Sequence, residues 1–142
     1  MRRLVRAHDI LPLFVFLCSA AWGQSIVRSP DAVRGALAGM NEVVEHSGQL
    51  IASHSYDQLP AQANQFEARL IAFEQGIGTQ PSELKSKLEP LIAKARVASS
   101  AMSEAAQSHR DSLLPITHRQ LAGSVNAIIA AIPPALRPTP SG

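Results

Sequence analysis

The sequence predicts an all-α protein, an antiparallel up-down-up-down four-helix bundle that follows a cleaved signal peptide. Four segments carry apolar residues at alternating spacings of four and three, which is the periodicity of an amphipathic helix. The connections between these segments are short, so neighbouring helices must run antiparallel. A basic start followed by an apolar run opens the chain and indicates export.

Residues 1–23 have the three-part layout of a secretory signal peptide. Arginines precede an apolar run over 10–21, and small residues close the run. The run is shorter than the roughly 20 apolar residues that span a bilayer, so we expect no permanent membrane anchor after cleavage. We expect cleavage before Gln24, with Trp22 as the second choice, and a location in the bacterial periplasm.

The composition of the remaining chain excludes several classes of function. The one cysteine, Cys18, lies in the predicted signal peptide, so disulfides, thiolate metal sites and cysteine catalysis are excluded after cleavage. Without that segment, ten basic and ten acidic residues remain of the 13 and 11 in the whole chain. A net charge near zero with interspersed signs favours neither nucleic acid nor an anionic membrane as a partner.

The predicted organisation is one small domain with short flanking segments. We place an N-terminal arm at 24–29, a bundle at 30–133 with helices at 30–54, 57–75, 80–109 and 111–132, and a proline-rich tail at 134–142. We expect the tail to be extended and mobile.

Capping residues and prolines define the first two helices. Ser29 can cap the first helix and Asp57 the second. Pro30 and Pro60 fall in first turns, where a missing N–H costs little. Gly76 ends the second helix, because glycine tolerates the left-handed conformation that follows a helix. The two apolar stripes consist of Val33, Leu37, Met40, Val44, Ser47 and Ile51, and of Leu59, Ala63, Phe66, Leu70 and Phe73.

The last two helices follow the same rules. Pro81 begins the third helix, and Pro90 predicts a kink rather than a break. Asp111 or Ser112 caps the fourth helix, and Pro133 ends it. The two apolar stripes consist of Leu84, Leu88, Leu91, Ala95, Ala98, Met102 and Ala105, and of Leu114, His118, Leu121, Val125, Ile128 and Ile132.

A short internal repeat links the two predicted hairpins. Ser53-His-Ser-Tyr-Asp-Gln-Leu-Pro60 matches Ser108-His-Arg-Asp-Ser-Leu-Leu-Pro115 at an offset of 55 residues. Two interpretations remain open. The hairpins descend from a duplication, or unrelated helical turns share the same capping chemistry.

Three histidines are expected to converge at one end of the bundle. His54 and His109 continue the first and third stripes into connections that lie at the same end, and His118 lies on the fourth stripe one turn from that end. Neutral imidazoles bind zinc, copper and nickel, so the three could form a site for a divalent transition metal. Residues near enough in sequence to support it are Asp57, Asp111, Tyr56 and Glu104.

A structural interpretation of the same histidines is also open. In this interpretation, His54 and His109 are nothing more than helix C-terminal caps, where imidazole interacts well with free carbonyls. His118 can be a core histidine that is bonded to a backbone carbonyl. No standard metal motif, nucleophile elbow or phosphate loop occurs, so we expect no enzyme activity.

The layout resembles small exported helical proteins of proteobacteria, of unknown function, which are often encoded beside cation-efflux systems. The residues that carry the resemblance are Ser108-His-Arg-Asp111, the spacing of Leu121 and Ile128, and Ile132-Pro133. The resemblance implies an accessory role in periplasmic metal handling.

The function we expect is that of a non-enzymatic periplasmic binding or accessory protein. The alternative is a transition-metal-binding protein that uses the three histidines, with a metal ion or a periplasmic protein as its partner. A third class is a bundle that holds an apolar ligand between its alanine-rich helices.

Overall fold

The computed structural model describes residues 30–139, which form four long helices. They are α1 (Pro30–Ala52), α2 (Leu59–Gly76), α3 (Ser82–Gln107) and α4 (Leu114–Ala131). Consecutive helices pack against each other and α1 packs against α4, which closes the predicted up-down-up-down bundle. The predicted signal peptide, the arm at 24–29 and residues 140–142 lie outside the described residues.

The helices among residues 30–139 include none that is long and apolar enough to cross a membrane.

The first helix starts at Pro30 as predicted, and the other helix ends differ from the predicted ends by one to three residues. The main reason is a set of short 3-10 turns, at Tyr56–Gln58, Ile77–Thr79, Asp111–Leu113 and Pro134–Leu136. Asp57 and Asp111 lie within two of these turns rather than at a helix cap, so their predicted capping role is wrong. Pro90 lies inside α3 without breaking it, as predicted, and the kink there stays a prediction.

The core is continuous through all four helices. The largest fully buried side chains come from every predicted stripe and include Leu37, Met40, Phe66, Phe73, Leu88, Met102, Leu121 and Ile128. The buried face is wider than the predicted stripe, because each helix contacts two neighbours. Ala36, Val43 and Leu50 are buried on α1 although they lie beside the predicted stripe. The buried Ser47 hydroxyl has no hydrogen-bond partner among the described residues.

The C-terminal tail is partly ordered against the bundle. Leu136 is buried, and the turn that contains it contacts α1. The Arg34 Nη1 donates a hydrogen bond of 2.6 Å to the Ala135 carbonyl. The prediction of an extended tail is therefore wrong for residues 134–136, because an apolar side chain and a backbone carbonyl both find partners on the bundle.

Glycine does not end α2 in the way the sequence predicts. Gly76 is the last residue of the helix, and its φ of −65° is that of a right-handed helix. The glycines in the described part of the chain include none with a positive φ. The missing side chain matters for packing instead, because a Cβ on Gly76 would lie 2.8 Å from Cγ2 of Val33 in α1.

One arginine joins α2 to α3 on the surface of the bundle. The Arg96 Nε lies 2.9 Å from Glu67 Oε1, and its Nη2 lies 2.6 Å from Glu74 Oε1. The hydrogen bond to Glu74 is the main cause of a raised pKa for Arg96, with Glu67 contributing in the same direction. All three side chains are more than a third exposed, so we assign the two ion pairs a modest role in stability.

Candidate functional site

The two histidines at the connections occupy left-handed backbone positions. The φ angle is 60° at His54 and 55° at His109, and these are the only positive values among the described non-glycine residues. Each histidine lies two residues after the last residue of its helix, at the position that glycine usually takes. Both side chains are exposed.

The backbone hydrogen bonds around each histidine form a Schellman motif. The N–H of Ser55 donates to the Leu50 carbonyl at 2.8 Å, and the N–H of His54 donates to the Ile51 carbonyl at 3.2 Å. The second connection repeats both bonds, from Arg110 to Ala105 and from His109 to Ala106, at 2.8 and 3.4 Å. His54 and His109 therefore terminate α1 and α3 in the same way.

The repeat of 55 residues extends from sequence to geometry. Three features recur at that offset: the left-handed histidine, the 3-10 turn that follows it, and the start of the next helix. These helices begin at Leu59 and Leu114. Shared capping chemistry is thus present in both turns. Descent from a duplication stays a prediction.

His118 lies inward on α4, as its stripe predicts, and contacts α1. Its side chain is half-buried, and Nε2 lies 2.8 Å from the Val44 carbonyl oxygen. Because a carbonyl only accepts, Nε2 must carry the proton in this contact. Gly48 makes room for the ring, since a Cβ there would lie 3.1 Å from Cε1 and Nε2 of His118.

The four residues expected to support a metal site differ in their exposure to solvent. Tyr56 is half-buried, and its ring centroid lies 5.6 Å from that of His54. Asp57, Asp111 and Glu104 are exposed.

Residues 30–139 contain no group of three or more histidine, aspartate or glutamate side chains that could hold a metal ion. The three-histidine metal site stays a prediction that this arrangement does not favour. The reason is that helical periodicity stops at Ala52 and Gln107. Beyond those residues the left-handed backbone, and not the stripe, directs the imidazoles.

An open groove between α3 and α4 is a feature that the sequence reasoning missed. Its volume is about 600 Å³, and its lining is mostly apolar. The lining includes Ala93, Lys94, Val97, Gly123, Ser124 and Ala127. Val97 stands at the groove with 69% of its surface exposed. The sequence did contain a signal for this groove, namely Val97 among small residues on the outer faces of two adjacent helices.

Comparison with known protein families, with characterised proteins and with solved structures gives no match.

Proposed function

We propose that the protein is a non-enzymatic binding or accessory protein of the bacterial periplasm, and that the groove between α3 and α4 is its binding surface. The groove itself carries this proposal. Its volume of about 600 Å³ lies within the range of roughly 300–1,000 Å³ that is typical of small-molecule sites. Its walls belong to regular helices, which gives the binding surface a defined shape.

The histidines support a non-enzymatic role. His54 and His109 terminate helices, and His118 bonds to a backbone carbonyl. The backbone conformation of His54 and His109 and the hydrogen bond of His118 are structural roles that require no catalysis. The predicted export of the chain supports the periplasmic location.

The binding of Nile red, a neutral apolar dye, tests this proposal. We expect saturable binding by the purified exported protein, with a blue shift of the dye emission. Gly123→Leu should weaken binding by at least about tenfold, because the leucine side chain would occupy part of the groove that the dye needs. No described atom outside the helix backbone lies within 4 Å of a Cβ at this position, so the variant should fold.

Ala68→Leu is the matched control. Ala68 lies 55 residues before Gly123, on the exposed surface of α2. This variant should bind the dye as the parent protein does. Absence of saturable binding, or equal binding by the Gly123→Leu variant, would contradict the proposal.

A further inference from the structure

The two hairpins carry grooves at equivalent positions. Seven residues line the groove between α1 and α2, and five of them have equivalents in the other groove: Gly39, Glu42, Val43, Gln65 and Arg69. An offset of 55 residues converts this set into Lys94, Val97, Ala98, Gln120 and Ser124, which all line the groove between α3 and α4. The repeat therefore allows one groove to be compared directly with the other.

An arginine of the chain itself lies across part of the first groove, which keeps a volume of about 290 Å³. The Arg69 side chain lies over Gly39, so closely that a Cβ there would be 2.8 Å from Arg69 Cδ and Nε. The equivalent of Arg69 in the second groove is Ser124, whose short side chain donates to the Gln120 carbonyl at 2.8 Å. The second groove therefore has no arginine across it, and its volume is about 600 Å³ against about 290 Å³ for the first.

The second groove is mostly apolar and has one cationic side chain in its lining. Lys94 is the one ionisable residue in its lining, and it forms no ion pair with any residue of 30–139. The sequence of α4 contains no aspartate or glutamate, and α3 contains none between Glu89 and Glu104. Charge complementarity therefore favours an anionic group beside Lys94.

We infer that the groove between α3 and α4 binds a free alkyl carboxylate of medium chain length, a fatty acid. The alkyl chain lies over Ala93, Gly123 and Ala127, and the carboxylate lies at Lys94. The groove spans residues 91–98 of α3, about 10 Å of helix, which suits a single short chain. This inference rests on the proposed function, because it names the ligand of the same groove.

A second copy of the protein is a poorer occupant. A two-fold dimer through this face would place the two Lys94 side chains in one interface, where like charges repel. The same repulsion does not arise with a carboxylate.

Competition with bound Nile red tests the inference, with sodium decanoate and decanol as the two probes. Decanoate should displace the dye below its micelle concentration and should do so better than octanoate. The gain should be about two- to fourfold for each added methylene group, with the lower value reflecting the open side of the groove. Gly123→Leu should weaken decanoate binding at least about tenfold, and Ala68→Leu should not.

Lys94→Gln isolates the charge. It should weaken decanoate binding by about two- to fivefold, the range expected for an exposed ion pair, and leave decanol binding unchanged. Lys87→Gln, a change of an exposed lysine on the same helix outside the groove, should alter neither. In the parent protein, added salt should weaken decanoate binding by no more than Lys94→Gln does, because salt screens the same charge interaction.

Several results would overturn the inference and leave the proposed function standing. They are dye binding without displacement by decanoate, an equal loss of decanoate and decanol binding in Lys94→Gln, or an unchanged decanoate affinity in that variant. A concentration-dependent dimer that Gly123→Leu disrupts would assign the groove to a second copy instead. If Nile red does not bind at all, the proposed function fails as well.

Discussion

His54 and His109 hold a backbone conformation that costs an ordinary residue about 1–2 kcal/mol relative to glycine. Histidine is enriched several-fold at such positions, so the choice is not anomalous. The side chain can also interact with the free carbonyls at the helix end. The functional importance of each histidine can therefore be separated from its structural role by replacing it with glycine.

We expect His54→Gly and His109→Gly each to raise the free energy of unfolding by about 0.5–1 kcal/mol. Glycine removes the left-handed strain, and its greater freedom in the unfolded chain offsets part of the gain. The matched control is His46→Gly, because His46 is exposed within α1. That change should lower stability by about 0.3–0.5 kcal/mol through lost helix propensity. Urea denaturation followed by circular dichroism measures all three.

The same variants bear on the metal site. A ligand that binds only the folded state stabilises it. Zinc should not stabilise the parent protein more than the two glycine variants if the histidines are caps. Stabilisation by zinc that both variants abolish would support the three-histidine site.

At the scale of helices, the contact between α1 and α4 depends on a glycine and a histidine together. Gly48 has no side chain where the His118 ring approaches the Val44 carbonyl. Glycine within a helix costs about 1 kcal/mol relative to alanine. We infer that the close contact with α4 offsets this cost.

A double-mutant cycle measures the coupling between Gly48 and His118. In a His118→Ala background, Gly48→Ala should stabilise the protein by about 1 kcal/mol, because the added methyl meets open space. In the parent protein the gain should be smaller by about 0.5–1 kcal/mol, since the ring must move. Gly35→Ala on the same helix is the control, because a Cβ there meets nothing within 4 Å. Equal effects of Gly48→Ala in the two backgrounds would show that the residues are not coupled.

At the scale of the whole molecule, the two hairpins share one hydrophobic core. Buried residues of all four helices form a single cluster, which includes Met40, Phe66, Met102 and Ile128. Each hairpin therefore leaves an apolar face uncovered when its partner is absent. A protein of this size with a continuous core should unfold in one cooperative step.

We expect the first hairpin, residues 30–79, to be largely unfolded when it is produced alone. Its two helices lack the partners against which they bury their apolar faces, and isolated helices gain little from propensity. Far-UV circular dichroism and thermal denaturation would compare the fragment with the chain of residues 30–139. A helical fragment with its own cooperative transition would contradict the shared core and favour two independent hairpins.

Much of this architecture could be predicted because its causes are local. Each helix has its own apolar periodicity, and Pro60 and Pro115 mark equivalent helix starts. The position of His118 followed from the same rule, since it lies within α4. His54 and His109 did not follow it, because their helices end two residues earlier and a left-handed residue redirects the chain.

The sequence by itself determined the number of helices, their order, their core faces and the repeat of the two turns. These depend on periodicity and on breakers, which act between residues close in the chain. Only the tertiary structure decided that an arginine lies across the groove between α1 and α2 and that none lies across the groove between α3 and α4. That outcome depends on Arg69 reaching across Gly39 from another helix, while Ser124 bonds to its own helix beside Lys94. A contact between side chains that are distant in sequence produces no periodic pattern in the sequence. The groove could therefore be identified only from the packed helices.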